Sequence, residues 1–224
     1  MTLYNTPMNY GALFDWDGVV IDSSSQHERS WEMLADEVGQ SLPPDHFVRG
    51  FGMKNQVIIP KILQWAEDPG EIHRLSLRKE TLYREIIARE GITPLPGVKS
   101  LLQILNEKAV PCSVASSTHR ENIEVIFDAI GLRPYFQAVV TAEDVSHGKP
   151  DPEVFLKAAE KIGREPQNCV VFEDAHVGIE AGLAAGAKVI AVATTNGISE
   201  LGAADMAVHS LQEVNWARFS ELFR

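Results

Sequence analysis

Four stretches of this chain place carboxylates, a lysine and hydroxyls just beyond short apolar runs. Asp15 and Asp17 follow Gly11 to Phe14, Ser116 and Ser117 follow Cys112 to Ala115, Lys149 lies beyond Ala138 to Val140, and Glu173 and Asp174 follow Cys169 to Phe172. These residue types suit a hard divalent cation and a phosphoryl group together: carboxylate oxygens bind Mg²⁺, while an ammonium, hydroxyls and backbone amides hold phosphoryl oxygens. Carboxylates crowded at one place repel one another and resist ionisation unless a cation neutralises them. With that cation present, an ionised aspartate can attack phosphorus, and a difficult hydrolysis becomes two in-line displacements through an aspartyl-phosphate. Nothing in the set suggests a soft-ligand metal.

For residues so far apart in sequence to meet, the elements carrying them must share an edge. The apolar runs at Gly11 to Phe14, Cys112 to Ala115, Ala138 to Val140, Cys169 to Phe172 and Lys188 to Val192 read as strands buried on both faces. From Pro94-Leu-Pro-Gly97 onward they alternate with helical patterns starting at Val98, at Glu121 and at Asp151-Pro152, and with a Gly- and Ala-rich helix before Lys188. Such alternation predicts an α/β fold, a Rossmann-like parallel sheet wrapped by helices, with ligands outside the carboxyl ends of the strands. Between about residues 23 and 92 the period is helical throughout: serines 23 to 25 can supply an N-cap, Trp31, Leu34, Ala35 and Val38 share a face before Gly39, and further helical patterns run from Val57 to Trp65 and from Ile72 to Ile87. The expected organisation is a catalytic core of residues 1-22 and 93-224 with an inserted helical cap at 23-92.

Composition limits the partners. The chain has 224 residues, 45% of them hydrophobic, and 31 acidic against 20 basic residues give a formal net charge of -11. That balance argues against nucleic acid and anionic membranes, both of which need clustered Lys and Arg. Met1 to Tyr10 has no basic start followed by an apolar stretch, and no apolar run reaches membrane-spanning length, so a cytoplasmic monomer is the expectation. Cys112 and Cys169 each sit inside an apolar run and read as buried free thiols.

Phe14-Asp-Trp-Asp-Gly-Val-Val20, Val114-Ala-Ser-Ser117, Gly148-Lys-Pro-Asp-Pro152 and Val171-Phe-Glu-Asp-Ala175 with Gly178 resemble, in order, the four motifs of the haloacid dehalogenase superfamily. The resemblance spans about residues 11 to 195, and the helical insertion resembles the cap of the subgroup that includes β-phosphoglucomutase and many sugar-phosphate phosphatases. It implies Asp15 as nucleophile and Mg²⁺ ligand, and Asp17 as general acid then base with its backbone carbonyl on the metal. It further implies Ser116 and Lys149 as phosphoryl-binding residues, Asp174 as the residue completing the metal site, and Glu173 as a metal-shell partner. Gly18 would permit the tight loop behind the catalytic pair.

Several residues carry two readings. Ser116 and Ser117 can cap a helix as well as bind phosphate, and Glu173-Asp174 can cap the helix that follows. His27 resembles a subgroup histidine placed near the acid/base residue, or is an ordinary hinge contact. Lys79 lies where cap lysines of the subgroup meet substrate, yet Arg78-Lys79-Glu80 also reads as a solvated face. His119 and Arg120 can reach a distal part of the substrate or begin a helix surface. The subgroup's mutases carry Ser-Lys-Asn after the second motif and an arginine in the cap loop. This chain has Thr118-His119-Arg120, and in Gly50-Phe-Gly-Met-Lys-Asn55 it puts Met53 about where the arginine would stand, with Lys54 beside it. Because a mutase must hold a bisphosphate at both ends, these departures favour hydrolysis, although Lys54 or Arg120 could supply the cation from a neighbouring position. The expected activity is Mg²⁺-dependent hydrolysis of a small phosphorylated metabolite, a sugar or polyol phosphate, on a surface that includes Gly50, Met53, Lys54 and Lys79. A mutase is the alternative, and a non-catalytic binding module the alternative of another class.

Overall fold

The structure is a computed structural model that describes residues 9–50 and 53–224. Residues 1–8, which include most of the stretch read for a leader, and Phe51 and Gly52 of the cap loop lie outside the described residues.

Helices α1 (Ser24–Val38), α2 (His46–Gly50), α3 (Asn55–Val57) and α4 (Pro69–Glu90) precede α5 (Val98–Glu107), α6 (Arg120–Ile130), α7 (Glu153–Lys161), α8 (His176–Ala184) and α9 (Trp216–Glu221). Strands β1 (Gly11–Phe14), β2 (Cys112–Ala115), β3 (Ala138–Val140), β4 (Cys169–Glu173), β5 (Lys188–Val192) and β6 (Met206–Val208) form one sheet in the order β3-β2-β1-β4-β5-β6. Every neighbouring pair is parallel, and Ala12 of β1 lies opposite Cys112 of β2 on one side and Val170 of β4 on the other. The expected α/β fold is the one found.

Period-two alternation divides the strands between two cores. Ala12, Phe14, Val114, Val170, Phe172 and Ile190 pack with Leu101 and Leu105 of α5, Ile123 and Phe127 of α6, and Phe219 of α9. Leu13, Ala115, Val140, Val171 and Val189 face the other way, onto Val154, Phe155 and Ala158 of α7 and Ile179 of α8. Both faces being covered explains why the strands read as unbroken apolar runs. Sheet coverage in turn fixes the sheet's carboxyl edge as the place where polar groups can emerge.

Between β1 and β2 the described residues form helices with a separate hydrophobic cluster, in which Trp31 and Leu34 of α1 meet Ile58, Ile59, Ile62, Ile72, Leu75 and Leu82. Helix α4 starts sharply because Asp68 Oδ1 accepts from Glu71 N at 2.9 Å and Pro69 occupies the first turn. The pattern from Val57 to Trp65, expected as an ordinary helix, is instead α3 continued by a π-helical turn, Ile58–Leu63, that ends at Gln64 in the left-handed region with φ 58. Pro60 sits inside it, and a proline has no amide for the regular ladder, so the chain widens there. The two crossings between insertion and sheet are tied together: Ile21 bridges Pro94, and Leu95 N donates to Val20 O at 2.9 Å.

Two elements near the end of the chain escaped the sequence pattern, β6 and α9. A three-residue strand and a six-residue helix are shorter than the windows in which a period can be read. Among the described residues no helix is long and apolar enough to cross a membrane.

Candidate active site

Asp15 follows β1 directly, its amide donating to Phe172 O at 2.9 Å, so the register of β1 against β4 sets its position. Lys149 reaches it from the loop after β3, with Nζ 2.6 Å from Asp15 Oδ1 and 2.6 Å from Glu173 Oε1. The Lys149–Pro150 peptide is cis. The Lys149 ammonium lies over the Phe155 ring, 5.0 Å from its centroid, and the side chain is 2% exposed. Burial disfavours the ammonium, but the two carboxylates more than compensate and hold its pKa above the usual lysine value.

Asp15, Glu173 and Asp174 offer oxygens that all lie within 4.8 Å of one another, and all three residues are buried. Burial first, and then Glu173 and Asp17, push Asp15 up to about 7 against the opposing pull of Lys149. Asp174 is raised well above its ordinary value by burial, Glu173 and Asp15. Three buried carboxylates therefore share one ammonium, an imbalance that a divalent cation would remove. Asp174 Oδ1 is buried without a hydrogen-bond partner among the described residues, while Oδ2 accepts from the Thr195 hydroxyl. A lone buried carboxylate oxygen beside two further carboxylates is the donor set of a hard-cation site. Both oxygens of Glu173 are occupied, Oε1 by Lys149 and Oε2 by the amides of Asp174 and Ala175 at 2.8 Å each, so Glu173 braces the cluster in this arrangement. Gly18, at φ +84, and Gly178 are dictated by the same cluster: a Cβ on Gly18 would overlap the Asp174 carboxylate, and one on Gly178 would overlap that of Glu173.

Asp17 is held differently. Ser23 Oγ donates to its Oδ1, Thr118 Oγ1 donates to Oδ2 at 2.5 Å, and His27 Nε2 stands 3.4 Å from Oδ1. Burial raises its pKa, but His27 and the two hydroxyls outweigh it and bring Asp17 down to about 2. Ser23 does occupy the N-cap position of α1, yet its hydroxyl makes no cap bond because Asp17 takes it. His27 stacks on Tyr83, centroids 4.0 Å apart, and its Nδ1 accepts from Lys79 Nζ at 2.5 Å, which leaves Nε2 to carry the ring proton toward Asp17.

The solvated-face reading of Arg78-Lys79-Glu80 holds only for Arg78, which pairs with Glu37 on the surface. Lys79 is 2% exposed and Glu80 4%. Lys79 Nζ lies 3.1 Å from Glu80 Oε1; Asn55 Nδ2 donates to that oxygen at 2.7 Å, and Asn122 of α6 donates to Oε2. A buried polar chain thus runs from Asp17 through His27, Lys79 and Glu80 to Asn122, from the sheet into the insertion and back. Sequence reasoning missed Ser23, Thr118, Asn55, Glu80 and Asn122 as members; α4 is polar along most of its length, so nothing in its composition marked Glu80 as buried.

One cavity is bounded by Asp15, Asp17, Ser116, Ser117, Glu173 and Asp174 on the sheet side and by His27, Gly50, Met53 and Lys79 on the insertion side, with His119 also on its wall. Ser116 Oγ accepts from Thr118 N at 3.0 Å, and α6 starts later, at Arg120, so the serine pair shapes the loop and caps no helix. Glu173 likewise serves the turn before α8. Three expected substrate contacts are absent from the wall: Lys149 is bonded to Asp15 and Glu173, Lys54 Nζ donates to Ala142 O at 3.0 Å and Val145 O at 2.9 Å, and Arg120 pairs with Asp144 at 2.5 Å. His119 is tied to Glu143 at 2.8 Å, which raises its pKa.

A parallel sheet whose carboxyl edge gathers buried carboxylates, a lysine and hydroxyls beneath a helical insertion defines a capped α/β hydrolase. Its helical insertion encloses the acid cluster. The chain belongs to the haloacid dehalogenase-like hydrolases, whose family model matches residues 11–186. It is 37% identical over 208 residues to a chloroplastic 5-amino-6-(5-phospho-D-ribitylamino)uracil phosphatase of Arabidopsis thaliana, covering 92% of this chain and 55% of that protein. Hexitol phosphatase A of Escherichia coli is 35% identical over 204 residues, 91% of this chain and 92% of that one. Among solved structures, a β-phosphoglucomutase of Clostridium difficile superposes with a TM-score of 0.86 at 25% identity, covering 96% of this chain and 97% of that one.

Proposed function

We propose that this protein is a Mg²⁺-dependent phosphatase that hydrolyses a small phosphorylated sugar or polyol through an aspartyl-phosphate on Asp15. One observation carries the reading: the buried carboxylates of Asp15, Glu173 and Asp174 share a cavity with Asp17 and Ser116, and Lys149 pairs with two of the three from behind the cavity lining. The relatives named above as phosphatases support it.

Mg²⁺, held by Asp15, Asp174 and the backbone carbonyl of Asp17 with Glu173 bracing them, would offset charge on the phosphoryl oxygens. Lys149 and Ser116 bind that group on its other sides. An Asp15 carboxylate oxygen attacks phosphorus, the bond from phosphorus to the substrate's oxygen breaks, and the departing oxygen takes a proton from the Asp17 carboxylic acid. Water then gives a proton to the Asp17 carboxylate as its oxygen attacks phosphorus, the bond to Asp15 breaks, and inorganic phosphate leaves. The contacts of Asp17 with Ser23, Thr118 and His27 hold it in the ionised form that suits the second half. Its acid form in the first half needs those contacts loosened, and two of the three partners belong to the start of the insertion.

The domain division we propose is a core of residues 1-22 and 93-224 and a cap at 23-92, supported by the separate hydrophobic cluster of the insertion and by the paired crossings at Ile21 and Pro94. A cap of this kind closes over substrate and reopens for release. We extend the reading to a monomer and to a reducing, cytoplasmic compartment, the latter in keeping with two thiols that are free and buried. A mutase is not favoured, because Lys54 and Arg120, the cations available for a second phosphate, are engaged elsewhere.

The test is phosphate release from a panel of sugar, polyol and nucleotide monophosphates with Mg²⁺. Asp15→Asn is expected to lower kcat about a thousandfold or more. Conversion of β-glucose 1-phosphate to glucose 6-phosphate without net phosphate release would overturn the phosphatase in favour of the mutase. Unaltered ligand binding with no turnover of any substrate would leave a binding module.

A further inference from the structure

His46 of α2 is 6% exposed and lines the cavity that holds Asp15. Its Nδ1 lies 2.8 Å from Pro43 O, and a carbonyl only accepts, so Nδ1 carries the ring proton. Nε2 of the neutral ring is then an acceptor, and it is buried with no hydrogen-bond partner among the described residues. A buried acceptor without a partner is costly in a folded protein and points to a group that arrives from outside. Trp31, 3% exposed, stands on the same wall together with Met53 and Ile58. Apolar side chains and an aromatic ring beside an unsatisfied acceptor suit a carbon chain bearing hydroxyls.

Charge points the same way. Lys79 is the one lysine or arginine among the described residues that line this cavity, and its ammonium is already shared between His27 and Glu80. A second phosphate at this end would meet no unengaged lysine or arginine.

The geometry points to His46 as a specificity-determining residue: its Nε2 accepts a hydrogen bond from a hydroxyl at the uncharged end of the phosphorylated substrate. The inference rests on the reading of this cavity as a phosphomonoester site and names the substrate class as polyhydroxylated monophosphates with a neutral far end. A site built around a substrate hydroxyl discriminates against the analogue that lacks it, because the protein acceptor is then left unpaired.

Binding measured in the Asp15→Asn background with Mg²⁺ separates this inference from the catalytic reading. Sorbitol 6-phosphate and ribitol 5-phosphate would each be titrated calorimetrically against the alkyl phosphate of the same carbon number. The polyol phosphates are expected to bind more tightly, and His46→Leu to reduce that preference by about tenfold. His46→Gln, whose amide oxygen reaches toward the Nε2 position, is expected to restore part of it, which a merely structural loss would not do. A preference unchanged by His46→Leu, in a variant with the unaltered near-ultraviolet circular dichroism of a folded protein, overturns the inference and leaves the phosphatase standing. No binding of any phosphate ester overturns both.

Discussion

Glu173 is bonded to one ammonium and two backbone amides, and Gly178 of α8 lies so close that any side chain there must displace the carboxylate. A fully bonded, buried group cannot move aside cheaply, so Gly178→Ala should destabilise the fold by about 1–3 kcal/mol. The same substitution should sharply reduce the response to Mg²⁺. Urea unfolding and a Mg²⁺ titration of phosphate release check both, and an intact Mg²⁺ response would mean that Glu173 does not organise the site. Asp15, Ser116, Glu173 and Asp174 were legible in the sequence because each stands at or just beyond an apolar run, where a parallel sheet exposes its carboxyl edge, whereas Lys149, well past β3, was marked only by the stiff Gly148-Lys-Pro150 segment around it. Ser23 and Thr118 were not. Their short hydroxyls are common in caps and loops, and only the approach of their segments to Asp17 gives them a role. His46 was equally silent, since nothing about a histidine in a polar stretch tells whether its second nitrogen finds a partner.

At the scale of elements, α4 lies between α1 and α6 and carries Glu80 into contact with Asn122. Burial opposes the charge on Glu80, but Lys79, His27 and His119, with the Asn55 bond, bring its pKa down to about 2 from an ordinary 4.5. A folded-state value below the unfolded one gives stability that is complete above about 4.5 and disappears as pH falls toward 2. The difference of roughly 2.5 units corresponds to about 3 kcal/mol. Glu80→Gln should therefore be less stable than the parent at pH 7, and the gap should narrow by more than half at pH 3. Urea midpoints at the two pH values measure it, and a gap independent of pH would show that Glu80 is not held ionised. This link between insertion and core could not be read from the sequence: helical periodicity placed Lys79 and Glu80 on α4, but how that helix packs on α6 is a tertiary fact. The π-helical turn at Ile58–Leu63 is a related case, since the sequence shows Pro60 but not whether the chain widens or breaks around it.

For the whole molecule, the formal charge of -11 is partly concentrated in a buried cluster that holds three carboxylates and one lysine. A ligand that binds only the folded state stabilises it by about 2.7 kcal/mol at a hundredfold excess over Kd. Mg²⁺ should accordingly raise the Tm by roughly 5 °C or more in a chain of this size, and chelation should reverse the shift. Asp174→Ala should abolish the response, and a Tm indifferent to Mg²⁺ in the parent would count against the metal site. The sheet order has a separate consequence during synthesis on the ribosome. Strand β1, which carries Asp15, is made first, yet it lies in the middle of the sheet, and its partners β2 and β4 emerge about 100 and 160 residues later. The nascent β1 must therefore wait, unpaired and apolar, while the helices of the insertion condense around their own cluster. Asp15 is therefore translated well before its surroundings, which are complete only once β4 and the start of α8 have left the exit tunnel.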